Sequence, residues 1–438
     1  MKIEITNQGK WYQSLTIKLF LLAFMGLVFL IPLQMIKLVI MERQKTAGQV
    51  RQEISKQWAE KQCISGPVLN IPIRSVPAEK DEKPVNMIWH IMPESLKITG
   101  VINPEIRYRG IYQSVVYGSD IQIAGEFILP ENLSIEGYEV FFNNAYLTLG
   151  ISDNRGLKGD VILKTGSGKV QTEPGVKDQD MFFSGVTFNY PLTSRSGKID
   201  FSINLNLSGS EGILITPVGK TTNVHLSSTW PSPSFNGSFL PSQRAVSEKG
   251  FSADWEVTHL NRNFPQSWKG NAFQPAESSF GLDLYMPVDH YQKSWRSARY
   301  GILFIALTFL VLIFLEITRK ENIHIFHYFL VSLSLILFFS LLNSLSEQTG
   351  FNLAYLIASA ATVGLITLFT GAVFSNKKMA LVVFGMLATL YLFIFVLLTL
   401  NDYAYLAGNI GLFILLAVIM RLAARMKIFK WEDNPEGK

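Results

Sequence analysis

A single cysteine, Cys63, stands in the 438 residues, so neither an intrachain disulfide nor a cysteine zinc site can form. Catalytic signatures are missing too: there is no G-x-S-x-G elbow and no H-E-x-x-H pair. Gly168-Lys169 follows a glycine-rich stretch, but Leu163 and Val170 occupy the places where a phosphate loop needs a glycine and a hydroxyl. That segment therefore reads as a turn. Histidine is scarce, with six in the chain. His90, His225, His259 and His290 stand singly and read as strand or surface residues, whereas His324 and His327, three apart, read as interfacial anchors. The net charge is +5, yet no basic stripe with interleaved aromatics occurs, which excludes a nucleic-acid footprint.

What the chain has in quantity is apolar sequence, unevenly placed. One run lies at 19–40, a mostly polar stretch follows, and closely spaced runs fill 300–420. A hydrocarbon core of about 30 Å needs roughly 20 apolar residues in a helix. Six spans are predicted, at 19–40, 300–317, 326–345, 353–374, 379–400 and 405–420, the last being the shortest. Lys37, Met41, Glu42 and Arg43 stand at and beyond the end of the first, where a small-x-small cleavage site would be wanted, so it reads as an uncleaved signal anchor, with Pro32 marking a kink.

Loop charges then orient the spans. Lys2, Lys10 and Lys18 precede the first, Arg319 and Lys320 follow the second, and Lys377 and Lys378 join the fourth to the fifth. Arg421, Arg425, Lys427 and Lys430 follow the sixth, while the connectors 346–352 and 401–404 carry no Lys or Arg. By the positive-inside rule, 1–18 and the tail 421–438 are cytoplasmic and the segment 41–299 lies outside. Residues 42–299 hold 26 basic and 26 acidic side chains, so the basic surplus belongs entirely to the rest of the chain. It is a topology signal.

Within the outer segment, Ala47, Val50, Ile54 and Trp58 recur at helical spacing, which predicts an amphipathic helix over about 42–62. The pattern then changes to period two. Ile199 to Leu207, Phe251 to Val257 and Phe280 to Met286 alternate apolar with polar residues, and Ile121, Ile123, Phe127 and Leu129 do so around Gly125, where a bulge is expected. The predicted fold class is therefore a mixed membrane protein. It combines a signal-anchor helix, a large antiparallel β-rich exterior domain resembling a sandwich, and a C-terminal bundle of five transmembrane helices. A dozen strands in one domain is expected, with two β lobes divided near 164–180 as the alternative.

Two acids fall in the helical half, Glu316 and Glu347, and intramembrane acids are a default hypothesis for a site. Both lie within a turn of a predicted span end, which favours a solvated position. Ser340, Asn343, Ser344 and Glu347 share one face of the third span, expected to be buried among helices, and Ala358, Ser359, Ala360, Gly364 and Gly371 would let the fourth pack closely.

Several ordered strings carry a resemblance. They are Ser65-Gly66-Pro67-x-Leu69-x-Ile71-Pro72, Gly150-Ile151-Ser152-Asp153-x-Arg155-Gly156, and Trp230-Pro231-x-Pro233-Ser234-Phe235-x-Gly237-x-Phe239-Leu240-Pro241. Arg244 to Trp255, Tyr300 to Phe309, and Leu345-Ser346-Glu347-x-Thr349-Gly350-Phe351 extend the series. Together they resemble the CreD family of bacterial inner-membrane proteins, departing from it at Ile325 and His327, where that family usually shows Pro and Gln. The resemblance implies a Gram-negative inner-membrane protein tied to envelope integrity, a two-component stress regulon and the β-lactam response. It implies no reaction and no cofactor, and it supplies no active site to carry over to Asp153, Arg155, Trp230 or Glu347.

The reading at this point is a non-enzymatic envelope protein whose periplasmic domain binds or senses a wall, lipid or protein component. Glu316 and Asn343 join the four residues above as functional candidates. Membrane lipids are the expected partners, no nucleic acid or metal is expected, and the oligomeric state stays open. A transporter or lipid-handling protein acting through its helices is the alternative, and an envelope hydrolase the third.

Overall fold

A computed structural model describes residues 15–77, 83–129, 133–192, 197–286, 290–319, 323–374, 377–400 and 404–425. Lys2, Lys10, Lys320, the turn 401–403 and the tail from residue 426, all used to orient the spans, lie outside the described residues. The chain divides into two compact units: Met1–Thr46 with Val288–Lys438, and Ala47–Pro287.

The first unit is helical. Its elements begin with α1 (Leu15–Val28) and α2 (Leu30–Trp58), the latter running on into the second unit. They resume with α3 (His290–Arg299), α4 (Gly301–Arg319), α5 (Ile325–Thr349), α6 (Phe351–Phe374), α7 (Lys377–Thr399) and α8 (Ala404–Arg425). The interruption at Phe29 follows from Pro32. Proline has no N–H for the carbonyl four residues back, Val28, and its ring crowds that carbonyl. Among the described residues, four stretches are long and apolar enough to cross a bilayer: Ile17–Trp58, Ile325–Thr349, Phe351–Phe374 and Lys377–Thr399. The pair α3 and α4, bent by 44°, would make a fifth. The connector expected at 346–352 shrinks to one residue. Gly350, at φ 78°, ends α5 with its N–H on the Ser346 carbonyl, and α6 begins at the next residue.

The second unit is built of strands: β1 (Gln62–Ser75), β2 (Asn86–Ile91), β3 (Ser95–Arg109), β4 (Tyr112–Leu129), β5 (Tyr138–Val140) and β6 (Tyr146–Ile151). Next come β7 (Leu157–Thr165), β8 (Gly168–Val170), β9 (Thr172–Pro174), β10 (Gly185–Asn189), β11 (Gly197–Ser210) and β12 (Gly212–Thr216). The last six are β13 (Thr221–Ser228), β14 (Pro233–Gly237), β15 (Gln243–Ser247), β16 (Gly250–Thr258), β17 (Ser267–Lys269) and β18 (Phe280–Leu284). The helix expected over 42–62 stops at Trp58, because Gln62 already enters β1.

Ten strands form one sheet, with β14-β18-β12-β1-β6-β10-β9 as its main path, and eight form the other, in the order β15-β16-β13-β3-β4-β11-β7-β8. Alternation explains which side chains go inward. Phe201, Ile203, Leu205 and Leu207 of β11, Phe251 to Val257 of β16, and Phe280 and Leu282 of β18 supply one core with residues from both sheets. The sheets are not purely antiparallel: β1 runs parallel to β12 and β3 parallel to β13. Nor is there a division into lobes near 164–180. There the chain crosses from β8 of the eight-stranded sheet to β9 of the ten-stranded one.

No bulge occurs at Gly125. β4 keeps an unbroken register with both β3 and β11, and the shifts lie instead between Ser65 and Val68 and between Asn204 and Asn206.

Candidate functional site

Asp153 follows β6 and caps a short 3-10 turn, accepting the Arg155 backbone N–H at 3.1 Å and the Arg155 guanidinium at 2.7 and 2.9 Å. It also accepts the Glu60 N–H at 2.9 Å, while Arg155 donates to the Lys56 carbonyl. The pair thus ties the end of α2 to the loop after β6, a structural role. The Arg155 guanidinium, ahead of the backbone donors, holds the Asp153 carboxyl down to about 2 from its ordinary 3.8. The folded form is the more acidic, so this stabilisation is complete above about pH 4 and fades as pH falls towards 2. Arg155 is exposed, so solvent screening keeps the contribution of the pair modest. Asp153→Asn should therefore lower stability near neutrality and flatten its acid dependence below pH 4. Thermal melts of the purified protein across that range test this, and an unchanged acid slope would refute it. Trp230 is equally structural: its indole N–H donates to the Tyr285 carbonyl at 3.0 Å and its ring packs on the core.

In the helical unit, Glu316 is not a solvated end residue. Its carboxylate pairs with Lys18 and accepts the Tyr328 hydroxyl at 2.8 Å, and the Lys18 ammonium also donates to the Ile323 carbonyl at 2.5 Å. Glu347 lies near the C-terminal end of α5, where it accepts the Tyr291 hydroxyl at 3.3 Å and has Arg43 at 4.0 Å. Asn343 is buried, and its side-chain oxygen lacks a hydrogen-bond partner. The face expected to be buried is divided, because Ser340 and Ser344 are exposed whereas Asn343, Ser346 and Glu347 turn inward. The stripe is narrower than the set of polar residues suggests.

The cluster that the sequence did not reveal surrounds His90. This residue lies on β2 between Asn70 of β1 and Trp268 of β17, fully buried. Asn70 donates through its amide nitrogen to Thr148 Oγ1 at 2.8 Å and to the Val68 carbonyl at 3.4 Å, so its amide oxygen faces His90 Nδ1 at 2.7 Å and must accept. His90 is thereby fixed with its proton on Nδ1. Its Nε2 points towards the loop between β9 and β10, where Asp180 Oδ2 lies 3.4 Å away without hydrogen-bond geometry. Asp178 completes the group, accepting the Tyr146 hydroxyl at 2.6 Å and the Asp180 N–H at 3.2 Å. Burial holds the His90 imidazole below its ordinary value, against the opposing pull of Asp178 and Asp180. Met181 and Phe182, both buried, pin the loop to the core beside these carboxylates.

A sequence model of the family described as inner membrane protein CreD matches residues 14–429. The chain belongs to the CreD family. The inner membrane protein CreD of Escherichia coli strain K12 is 32% identical over 344 residues, which cover 76% of each chain. Among solved structures, an M1 zinc metallopeptidase from Deinococcus radiodurans with a bound peptide substrate reaches 11% identity over 38% of this chain and 39% of its own, with a TM-score of 0.19. A two-domain M1 zinc metallopeptidase bound to L-arginine gives 10% identity, 44% and 42% coverage and a TM-score of 0.20. Scores this low establish no shared fold.

Proposed function

We propose that this CreD-family chain is a six-span inner-membrane protein with both termini cytoplasmic and its β unit periplasmic. It contributes to envelope integrity under the stress that β-lactams impose. The β unit binds or senses a wall, lipid or protein component without catalysing a reaction, and the helical unit anchors it or relays its state. One observation carries this reading: residues 47–287 form a compact unit with their own core, between an N-terminal apolar helix and the later spans. The clustering of Lys and Arg on alternate connectors supports the orientation.

Transport through the helices draws less support. Glu316 and Glu347 are engaged with partners, and a cavity of about 550 Å³ beside α6 and α7 is lined mainly by apolar and aromatic side chains, Tyr355, Phe384, Tyr391 and Phe395 among them. A polar pathway needs more than this.

The test is photo-crosslinking in living cells from Phe183, Leu240 and Leu260, which are 82%, 70% and 83% exposed in the β unit. A photoreactive phenylalanine at these positions should yield an adduct with a wall, lipid or envelope-protein component, strengthened by β-lactam challenge. Full-length protein forming no adduct at any of the three would overturn the binding role.

A further inference from the structure

The His90 cluster joins three features that, without a cation, oppose one another. The Nδ1 proton is committed to Asn70, which leaves the Nε2 lone pair, buried and unpartnered, facing carboxylate oxygens. Two half-buried carboxylates, Asp178 and Asp180, stand together, and neither ion-pairs with a lysine or arginine among the described residues. One ligand atom from each of the three residues lies within 4.8 Å of the other two. A lone pair set against two negative groups is repulsive unless something positive sits between them.

We propose that His90 Nε2, Asp178 and Asp180 bind one divalent first-row transition ion, for which Zn²⁺ is the probe. The donor set suits it: one imidazole nitrogen and two carboxylate oxygens, the three protein ligands of an open four-coordinate site. The surroundings follow the pattern of metal sites, in which the ligating histidine donates its other N–H to a fixed oxygen and the ligating carboxylates are themselves hydrogen-bonded. Here Asn70 does the first, and Tyr146 with the Asp180 N–H does the second for Asp178. Two ligands at about 2.1 Å from one ion stand no more than about 4.2 Å apart, so a small turn of a loop carboxylate completes the site. Asp178 and Asp180 are on a loop and can make that turn, whereas His90 sits in a strand. The bound ion would fasten the loop between β9 and β10, with its exposed Phe183, to β2.

The experiment uses the full chain in detergent, purified without a histidine tag, stripped by a chelator and titrated with Zn²⁺ by calorimetry. Metal content is measured after desalting. The wild type should hold about one ion per chain and melt at a higher temperature with Zn²⁺ than without. His90→Gln and Asp180→Asn should each weaken binding at least about tenfold and abolish the thermal shift. Asp180 is half-buried on a loop, so Asp180→Asn reads the site even if His90→Gln fails to fold. Binding should persist when His324 and His327 are both replaced by alanine. No tight binding by the wild type, retention in Asp180→Asn, or loss in the His324/His327 double variant would each overturn the proposal.

Discussion

Lys18→Ala should destabilise the helical unit by about 3–5 kcal/mol, the cost of stranding one charge of a buried pair. Lys18 and Glu316 have side chains 10% and 12% exposed, and the carboxylate depends on Lys18 and Tyr328 for compensation. Without the ammonium, the Glu316 carboxylate loses its compensating charge against apolar helices, which costs stability. Glu316→Gln should cost less, because Lys18 keeps the Ile323 carbonyl and remains 5.5 Å above the Tyr328 ring. Replacing both together, Lys18→Met with Glu316→Leu, should recover most of the loss, since an apolar pair removes the desolvation penalty along with the attraction. Detergent-induced unfolding of the four proteins compares these costs. Equal stability of Lys18→Ala and wild type would show that the pair is solvated and energetically idle.

How far the sequence revealed these features depended on range. The alternation in 199–207, 251–257 and 280–284 led directly to β11, β16 and β18, because a half-buried strand writes its inner face at every second residue. Period two says nothing of partner or direction, so the parallel pairings of β1 with β12 and β3 with β13 were not legible. β1 also hides itself. It is buried on both faces along most of its length, and such a strand shows no alternation. The acids of the helical unit were visible, but the partner of Glu316 lies 298 residues away. His90 was the hardest case. A single histidine in a strand has no local mark of function, and its two carboxylates arrive from a loop nearly ninety residues later. The only available signal was Asp178-x-Asp180 beside the buried pair Met181-Phe182, acids held where the chain cannot drift.

Gly125 illustrates the same limit from the other side, and it supports the second large effect. The glycine in an alternating strand suggested a bulge, yet β4 passes through it in register, and the small residue is required by what lies across the sheet. A Cβ at this position would fall 2.1 Å from the Ser95 carbonyl oxygen and 2.7 Å from the edge of the Phe201 ring. The first contact is with backbone held in the β3 ladder and the second with a side chain at the centre of the core, so neither can yield cheaply. Gly125→Val should cost about 3 kcal/mol or more, the upper end of what overpacking produces, and Gly125→Ala somewhat less. The two clashes can be separated. If the ring were decisive, Phe201→Leu would rescue Gly125→Ala; because the Ser95 carbonyl is nearer and fixed, the double variant should remain at least as unstable as the single one. Tryptophan fluorescence during denaturant unfolding reports on this through Trp255, buried in β16 of the same sheet. A rescued double variant would place the constraint in the ring, and a Gly125→Val protein as stable as wild type would mean that β3 and β4 do not approach each other as described.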